Sequence, residues 1–587
     1  MYSANDLLEK ERIKKRISRK RLARGICTPQ ALAKLANEDA NIELNNFKIL
    51  LERLGRSSEY LEYILSKKEY YNILAQERIE SLIMQGNLNS AMEEIECYIP
   101  NSDTAAPFAK MYYHRIYAWI LNEQKRYKEA EEEIINAIFA TLPEIDVSNY
   151  KEYLFSTYEY ENVLMYAQIL FEQNKINDAS YILERVFEYI CDMVEDKWIL
   201  ATVLPKCAFL MLKYCRGLVK NDIIIECSEQ ALDVIRDVGV IYLMHPILVG
   251  LIDLYRINGL TNKADKISIF KEIVGEILKE FVEVVPQEAV LYKWHRASYN
   301  LESEVFKAER IRKGLTQMDI SDGVFSDPGA VSNIEKKKHS PNKSSFKKFM
   351  KIVEMERPRR SGFVLVESFD RMQLFSNLRS AVNKSDYVEM LSLIGDEKEF
   401  SASEIPIINA YKAIAVRDKS QEQEIEATNR IKLFISESYP LDINVYNRKP
   451  FLEEADIIIA FLRTQRRNEN SASVHKKLIK AFRDSEIDVK YSYCGYTTVA
   501  TSYLATSGED LSNDEIIQLV NEIMCCTLRS GNGSIISGVY WAQMRAYSKN
   551  NGIDLLACKR AYLFASLFRN TNEEYLKDFY YYYLSRQ

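Results

Sequence analysis

The sequence predicts an all-α protein in which two helix-turn-helix modules each precede a solenoid-like body of helical hairpins, the whole arranged as a tandem duplication. Three observations carry that expectation. Glycine and proline are scarce, at 19 and 13 among 587 residues, and no alternating apolar–polar run of strand length competes with the helical periodicity. Small residues recur at the spacing where two antiparallel helices touch. Two short passages, near residues 11 and 309, repeat one another in register.

The repeated passage opens each half. "ERIKKRISRKRLARGIC" from Glu11 aligns with "ERIRKGLTQMDISDGVF" from Glu309 at an offset of 298. After one extra residue, "TPQALAKLA" from Thr28 aligns with "DPGAVSNIE" from Asp327, and "NNFKILLERL" (45–54) aligns with "SSFKKFMKIV" (344–353). Ser18 or Thr316 can cap a helix through its side-chain oxygen, and Gly25 or Gly323 can end it. Thr28-Pro29 or Asp327-Pro328 then gives a cap followed by proline, whose missing N–H is harmless at the first helical position. This reads as helix, tight turn, helix. Leu32 and Leu35, or Val331 and Ile334, face inward with Phe47, Leu50, Leu51 and Leu54, or with Phe346, Phe349, Met350 and Val353. The outward face of the second helix is left for a partner.

Between the modules the pattern is that of helical hairpins. "HRIYAWILNEQKRYKEAEEEIINAIFATLP" places Ala118, Ala130 and Ala137 where two helices approach, and "VLMYAQILFEQNKINDASYILERVFEYI" repeats the arrangement with Ala167, Ala179 and Val186. Further hairpin turns stand in "LIMQGNLNSAMEEI" and "LYRINGLTNKADKI", so residues 70–295 read as about five tetratricopeptide-like hairpins. "YVEMLSLIGDEKEF", "EADIIIAFLRTQRR" and the tyrosine-rich C-terminus give the second body the same texture with weaker repeats. The expected domains are residues 1–66 and 298–358 for the modules, and 67–297 and 359–587 for the bodies. Most of the 38 tyrosines fit helix packing. A few, such as Tyr158 and Asn162, could instead line a groove that grips an extended peptide, an asparagine amide both donating and accepting. A buried, satisfied asparagine is the plainer reading of that position.

Charge is divided unevenly. The chain carries a net −6, yet residues 1–60 and 302–360 are each near +5, so two basic modules ride on an acidic body. This fits anion binding by the modules, although any short lysine-rich segment reads as basic. The five histidines, His114, His245, His295, His339 and His475, stand apart from one another and from the cysteines. There is no C-x-x-C pair, and "RSGNGSIISG" lacks the lysine of a phosphate loop and reads as a turn. Glu453-Glu454 is ordinary helix charge. An enzyme is not expected, nor is a metal or cofactor. The cysteines read as reduced, buried and structural. No apolar leader segment and no uncharged apolar run of about 18 residues is found, so a cytoplasmic location without membrane contact is expected.

"RIRKGLTQMDISDGVFSDPGAVSNIEKKKHSP" resembles the helix-turn-helix of the repressor/Cro-like (XRE-type) superfamily, with Thr316-Gln317 opening the second helix, "VSNIE" closing the third, and Pro341 six residues after Glu335. The resemblance implies an Arg310–Glu335 ion pair linking the first helix to the end of the recognition helix. In the first copy Arg19 stands for the glutamine, Ala36 for the glutamate and no proline follows, so Arg12 lacks that partner unless Glu38 replaces it. The geometry of such modules puts Gln30 and Lys34 of the recognition helix toward base edges and Arg19, at the start of the preceding helix, on phosphate, with Arg16, Lys20, Arg21 and Arg24 nearby for the backbone. The second copy's equivalents are Gln317, Gly329 and Asn333, with Asp319, Asp322 and Asp327 alongside and Lys336, Lys337 and Lys338 following. A helix-turn-helix followed by such a body is similar to the intracellular peptide-pheromone receptors of the RRNPP type, especially the Rgg-like regulators. That resemblance implies a transcriptional regulator of a quorum-sensing kind that binds double-stranded DNA and a short signalling peptide. The duplication implies an internal pseudo-dimer, and a further homodimer of the duplicated chain is compatible with it. The alternative is a scaffold that binds and modulates a partner protein without touching DNA.

Overall fold

The computed structural model describes residues 2–36, 43–99, 105–143, 145, 152–281, 289–292, 297–353, 363–364, 368–416, 429, 449–451, 455, 458, 469–492 and 495–586, apart from gaps at 323, 326, 337, 339–342, 396–399 and 401–403. Glu38, Gly323, His295, His339, Pro341, Lys337, Glu453-Glu454 and nearly all of "EADIIIAFLRTQRR" lie outside the described residues, as do the side chains of Leu35, Ala36, Phe346 and Met350. Among the described residues the fold is all-α apart from one small sheet. It divides into two compact units, one of residues 4–58 and 68–294, the other of residues 1–3, 59–67 and 295–587.

The first unit begins with α1 (Ala4–Lys14), α2 (Arg19–Ala23), α3 (Pro29–Ala36) and α4 (Leu44–Arg53). Ser18 Oγ accepts from Arg21 N at 3.1 Å and Thr28 Oγ1 from Ala31 N at 3.1 Å, the two caps expected from the sequence. Gly25 takes φ +72°, and a Cβ there would stand 2.1 Å from Thr141 O, so both its conformation and its closeness to the body demand glycine. Leu22, Leu32, Phe47, Leu50, Leu51 and Leu54 form the small core.

Five helical hairpins follow: α5 (Lys67–Met84) with α6 (Leu88–Tyr98), α7 (Pro107–Glu123) with α8 (Tyr127–Thr141), α9 (Thr157–Glu172) with α10 (Ile176–Met193), α11 (Lys197–Tyr214) with α12 (Asn221–Val238), and α13 (Met244–Ile257) with α14 (Thr261–Glu280). The expected small residues are buried at the crossings, Ala118, Ala130, Ala137, Ala167 and Ala179 completely and Val186 to 4% exposure. The turns reverse through left-handed residues, Gly86, Lys125, Asn174, Gly217 and Gly259. First helices of successive hairpins touch, α9 against α11 and α11 against α13.

The second unit holds the second module, α15 (Glu302–Arg312), α16 (Gln317–Ser321), α17 (Pro328–Glu335) and α18 (Lys343–Ile352). Its core joins Val305, Phe306, Ile320, Val331, Ile334, Phe349 and Val353 with Ile64 and Phe451 from elsewhere in the unit. Phe306 and Phe349 stack with centroids 3.8 Å apart. The caps again match expectation, Thr316 in a capping box with Asp319 and Asp327 accepting from Ala330 N. Beyond lie α19 (Phe369–Asn383), α20 (Tyr387–Ile394), α21 (Ile405–Val416) and helices at Glu469–Arg483, Gly495–Ser507, Asn513–Ser530, Ile536–Asn551, Leu555–Leu567 and Glu573–Leu584. "RSGNGSIISG" is a turn, with Gly531 left-handed at the helix end.

Two features depart from the sequence reading. A four-stranded sheet in the order β1-β4-β2-β3 unites β1 (Tyr2–Ser3), β2 (Glu62–Leu65), β3 (Ser298–Leu301) and β4 (Phe363–Val364). Its strands are two to four residues long, and β2 and β3 are buried throughout, so no alternation marks them. Buried Glu62 accepts from Ser298 Oγ at 2.9 Å and Asn300 Nδ2 at 2.8 Å, locking the parallel β2·β3 pair. The thiols, moreover, are not all buried: Cys97 and Cys191 are exposed. Among the described residues no helix is long and apolar enough to cross a membrane.

Candidate functional site

The third helices of the two modules, α3 and α17, differ in what they expose and what they bind. In the first, Gln30 and Lys34 of α3 are exposed. Arg19 is also exposed, but its Nη2 reaches Glu9 Oε1 at 2.5 Å. Glu9 simultaneously receives Arg12 Nε at 2.8 Å and Nη2 at 2.6 Å, while Arg12 Nη1 donates to Ile17 O at 2.6 Å. Hydrogen bonding from Arg12, then from Arg19, holds the Glu9 carboxyl below its ordinary range against the opposing effect of burial.

The second module has the ion pair implied by the family resemblance. Arg310 Nε meets Glu335 Oε1 at 2.5 Å and Nη2 meets Oε2 at 3.2 Å. Gln317 Nε2 donates to the same Oε2 at 2.7 Å, and Arg310 Nη1 donates to Leu315 O at 2.6 Å. Arg12 and Arg310 thus make the same carbonyl bond, Ile17 and Leu315 being equivalent. Their carboxylates differ: Glu9 comes from the arginine's own helix, Glu335 from the end of α17. Gln317 is committed to this frame. Asn333 is half-buried, whereas Gly329, Lys336 and Lys338 are exposed with Asp319, Asp322 and Asp327 close in sequence.

The first module is fastened to its body through two adjacent residues of α4. Arg53, buried, pairs with Glu159 and donates to Leu22 O at 3.1 Å, Arg24 O at 2.6 Å and Thr141 O at 2.9 Å. Glu52 Oε2 accepts from Thr157 N at 3.0 Å and Thr157 Oγ1 at 2.7 Å, adding to the Ser156–Glu159 capping box at the start of α9. Asp196, which caps α11, accepts from Ser57 N at 3.2 Å. Two residues expected near phosphates also meet the body: Arg21 Nε donates to Glu152 O at 3.2 Å, and the Arg24 guanidinium lies 4.4 Å from the Tyr153 ring centroid.

Tyr158 and Asn162 lie together on α9 beside a buried charge cluster. Arg115 Nη1 donates to Asn162 Oδ1 at 3.1 Å and, at 3.4 Å, to Tyr158 O, while its guanidinium stands 5.4 Å from the Tyr158 ring centroid. Arg115 Nη2 meets Glu161 Oε2 at 2.6 Å, and Lys206 pairs with the other Glu161 oxygen. Nearby Glu80 receives the Tyr112 hydroxyl at 3.5 Å, and burial pushes its carboxyl up to about 7 despite Arg115. Asn162 Nδ2 is buried with no partner among the described residues. Sequence reasoning missed Arg115, Glu161 and Lys206, although three ionisable residues on otherwise apolar helix faces were a visible signal.

A family model described as a protein of unknown function (DUF1348) matches residues 410–520. No curated protein matches the chain. Among solved structures, the crystal structure of Bacillus thuringiensis PlcR in complex with the peptide PapR7 and DNA is similar over 49% of this chain and 99% of that one, at 12% identity and a TM-score of 0.29.

Proposed function

We propose that the chain is a DNA-binding transcriptional regulator controlled by a short peptide. Residues 1–66 and 298–358 are its DNA readers, and residues 67–297 and 359–587 are helical bodies that set how the readers are held. One observation carries the reading: α3 turns Gln30 and Lys34 to solvent on a module that Glu52 and Arg53 clamp to its body. A held scaffold with a free polar helix face is what major-groove reading requires. The pseudo-dimer draws support from the sheet, in which the strand before each module neighbours the strand after the other, β1 by β4 and β3 by β2. The pairing senses differ, antiparallel for β1·β4 and parallel for β2·β3.

Gel shifts over a salt series test the reading. Lys34→Ala and Arg19→Ala should each weaken binding and lower the salt slope, Arg19→Ala by about 1, the share of one phosphate contact, while Gln30→Ala should relax sequence preference. Wild-type behaviour in all three would refute it. The partner-protein scaffold is favoured by one observation, that Arg21 and Arg24 contact the body. Capture of a protein and no DNA from cells would establish that alternative.

A further inference from the structure

The first body holds a stretch of its own chain as if it were a ligand. After α14 the chain returns at residues 289–292, Ala-Val-Leu-Tyr, against the first helices of the hairpins. Arg115 Nη2 donates to Leu291 O at 2.8 Å, Lys206 Nζ to Tyr292 O at 2.7 Å, and the Tyr242 hydroxyl to Ala289 O. Val290, Leu291 and Tyr292 are buried, the Tyr292 ring centroid lies 5.1 Å from that of Tyr242, and Tyr292 N closes a turn onto Ala289 O at 3.0 Å. Arg115 and Lys206 share Glu161, and each also donates to one carbonyl of the segment.

The chemistry is that of peptide capture. Carbonyl contacts from α7, α11 and Tyr242 are indifferent to sequence, whereas three buried side chains select an apolar–apolar–aromatic run. Cations whose donors end on main-chain carbonyls can exchange one backbone for another without changing partners. Asn162 Nδ2, buried beside Arg115, is a further donor that a longer peptide could use.

We propose that residues 289–292 are a tethered pseudo-ligand occupying the peptide site of the first body, and that the displacing ligand is a short peptide carrying an apolar–apolar–aromatic run. This rests on the peptide-controlled reading above and supplies its regulation. Tethering keeps the internal segment at an effective concentration of the order of millimolar, so a free peptide binds with its affinity reduced by the occupied fraction. Displacement frees the stretch of chain that leads directly into β3 and the second module.

The test uses the full chain and a fluorescent heptapeptide of residues 288–294, EAVLYKW. Replacing the segment (Ala289→Gly, Val290→Ser, Leu291→Gly and Tyr292→Ser together) should tighten probe capture at least tenfold over the unchanged chain, and adding Arg115→Met should abolish it. Equal capture by both chains, or by neither, overturns the proposal. Should the replaced chain fail to fold, hydrogen exchange on the unchanged chain decides: the 290–292 amides should be protected alone and exposed by excess unlabelled peptide. Exchange that ignores saturating peptide overturns it. A chain that binds no DNA yet captures the probe only after replacement refutes the regulator and spares this inference. A DNA-binding chain that captures equally with and without the segment does the reverse.

Discussion

In the first module Arg12 and Arg19 converge on Glu9, three residues back on the same helix as Arg12; in the second, Arg310 and Gln317 converge on Glu335, at the far end of α17. The first network therefore joins α1 to α2 and leaves α3 untied by it, while the second ties α17 to α15 and α16. The attachment of the modules is reversed in turn. Glu52 and Arg53 clamp the first to its body, but their counterparts Lys351 and Ile352 are exposed. The second module is anchored from its other end, where Glu304 on α15 accepts from Ser485 Oγ at 2.8 Å and Glu486 N at 2.8 Å. The two modules are thus held differently: one is clamped to its body and makes its arginine network without α3, the other ties α17 into its network and is attached through α15.

The largest effect should come from the clamp. Arg53→Ala strands the buried Glu159 carboxylate and should cost about 3–5 kcal/mol in denaturant unfolding, whereas Ile352→Ala should change stability by less than about 0.5 kcal/mol. Comparable losses at both positions would erase the contrast. Next, Glu335→Gln should cost about 1.5–3 kcal/mol and raise hydrogen exchange along α17, because the amide keeps one neutral acceptor where Arg310 and Gln317 now share two charged carboxylate oxygens. Glu9→Gln should leave exchange along α3 unchanged, and a rise there would refute the untied reading. The two caps offer a calibration, since Thr28→Ala and Asp327→Ala should each cost about 1 kcal/mol, measured by thermal unfolding. Smallest is the pH response of the first module. Glu9 titrates below its ordinary 4.5 when folded, so its contribution is present above that pH and fades as acid protonates it in the native state. Thermal midpoints of wild type and Glu9→Gln should differ at pH 7 and converge toward pH 3.

Glu80 behaves oppositely. With its carboxyl raised to about 7, the native state holds a proton that the unfolded chain has released, so stability falls as pH rises from 4.5 through 7. A Glu80→Gln chain should lose that decline between pH 5 and pH 8.

Local chemistry made much of this legible in the sequence. Caps at Ser18, Thr28, Thr316 and Asp327, left-handed turn residues such as Gly86 and Gly259, and alanines where helices cross all act within a few residues of themselves, and each stands where it was expected. The Arg310–Glu335 pair was visible because both partners occupy positions fixed by the module. The substitution by Glu9 was not, since it answers a missing residue on α3 with one on α1. Arg53 and Glu159 are 106 residues apart, and nothing short of the fold announces that they meet. Carbonyl recognition of residues 289–292 does not depend on the segment's own side chains and so leaves little mark there, and the four-residue strands β2 and β3, buried throughout, show no period.

The order β1-β4-β2-β3 has an implication for assembly of the chain. Cut after residue 297, neither half of the polypeptide owns a whole sheet: one keeps β1 and β2, which do not adjoin, and the other keeps β3 and β4, which do not adjoin either. Co-expressed as separate fragments, each half would need the strands of the other to complete the sheet.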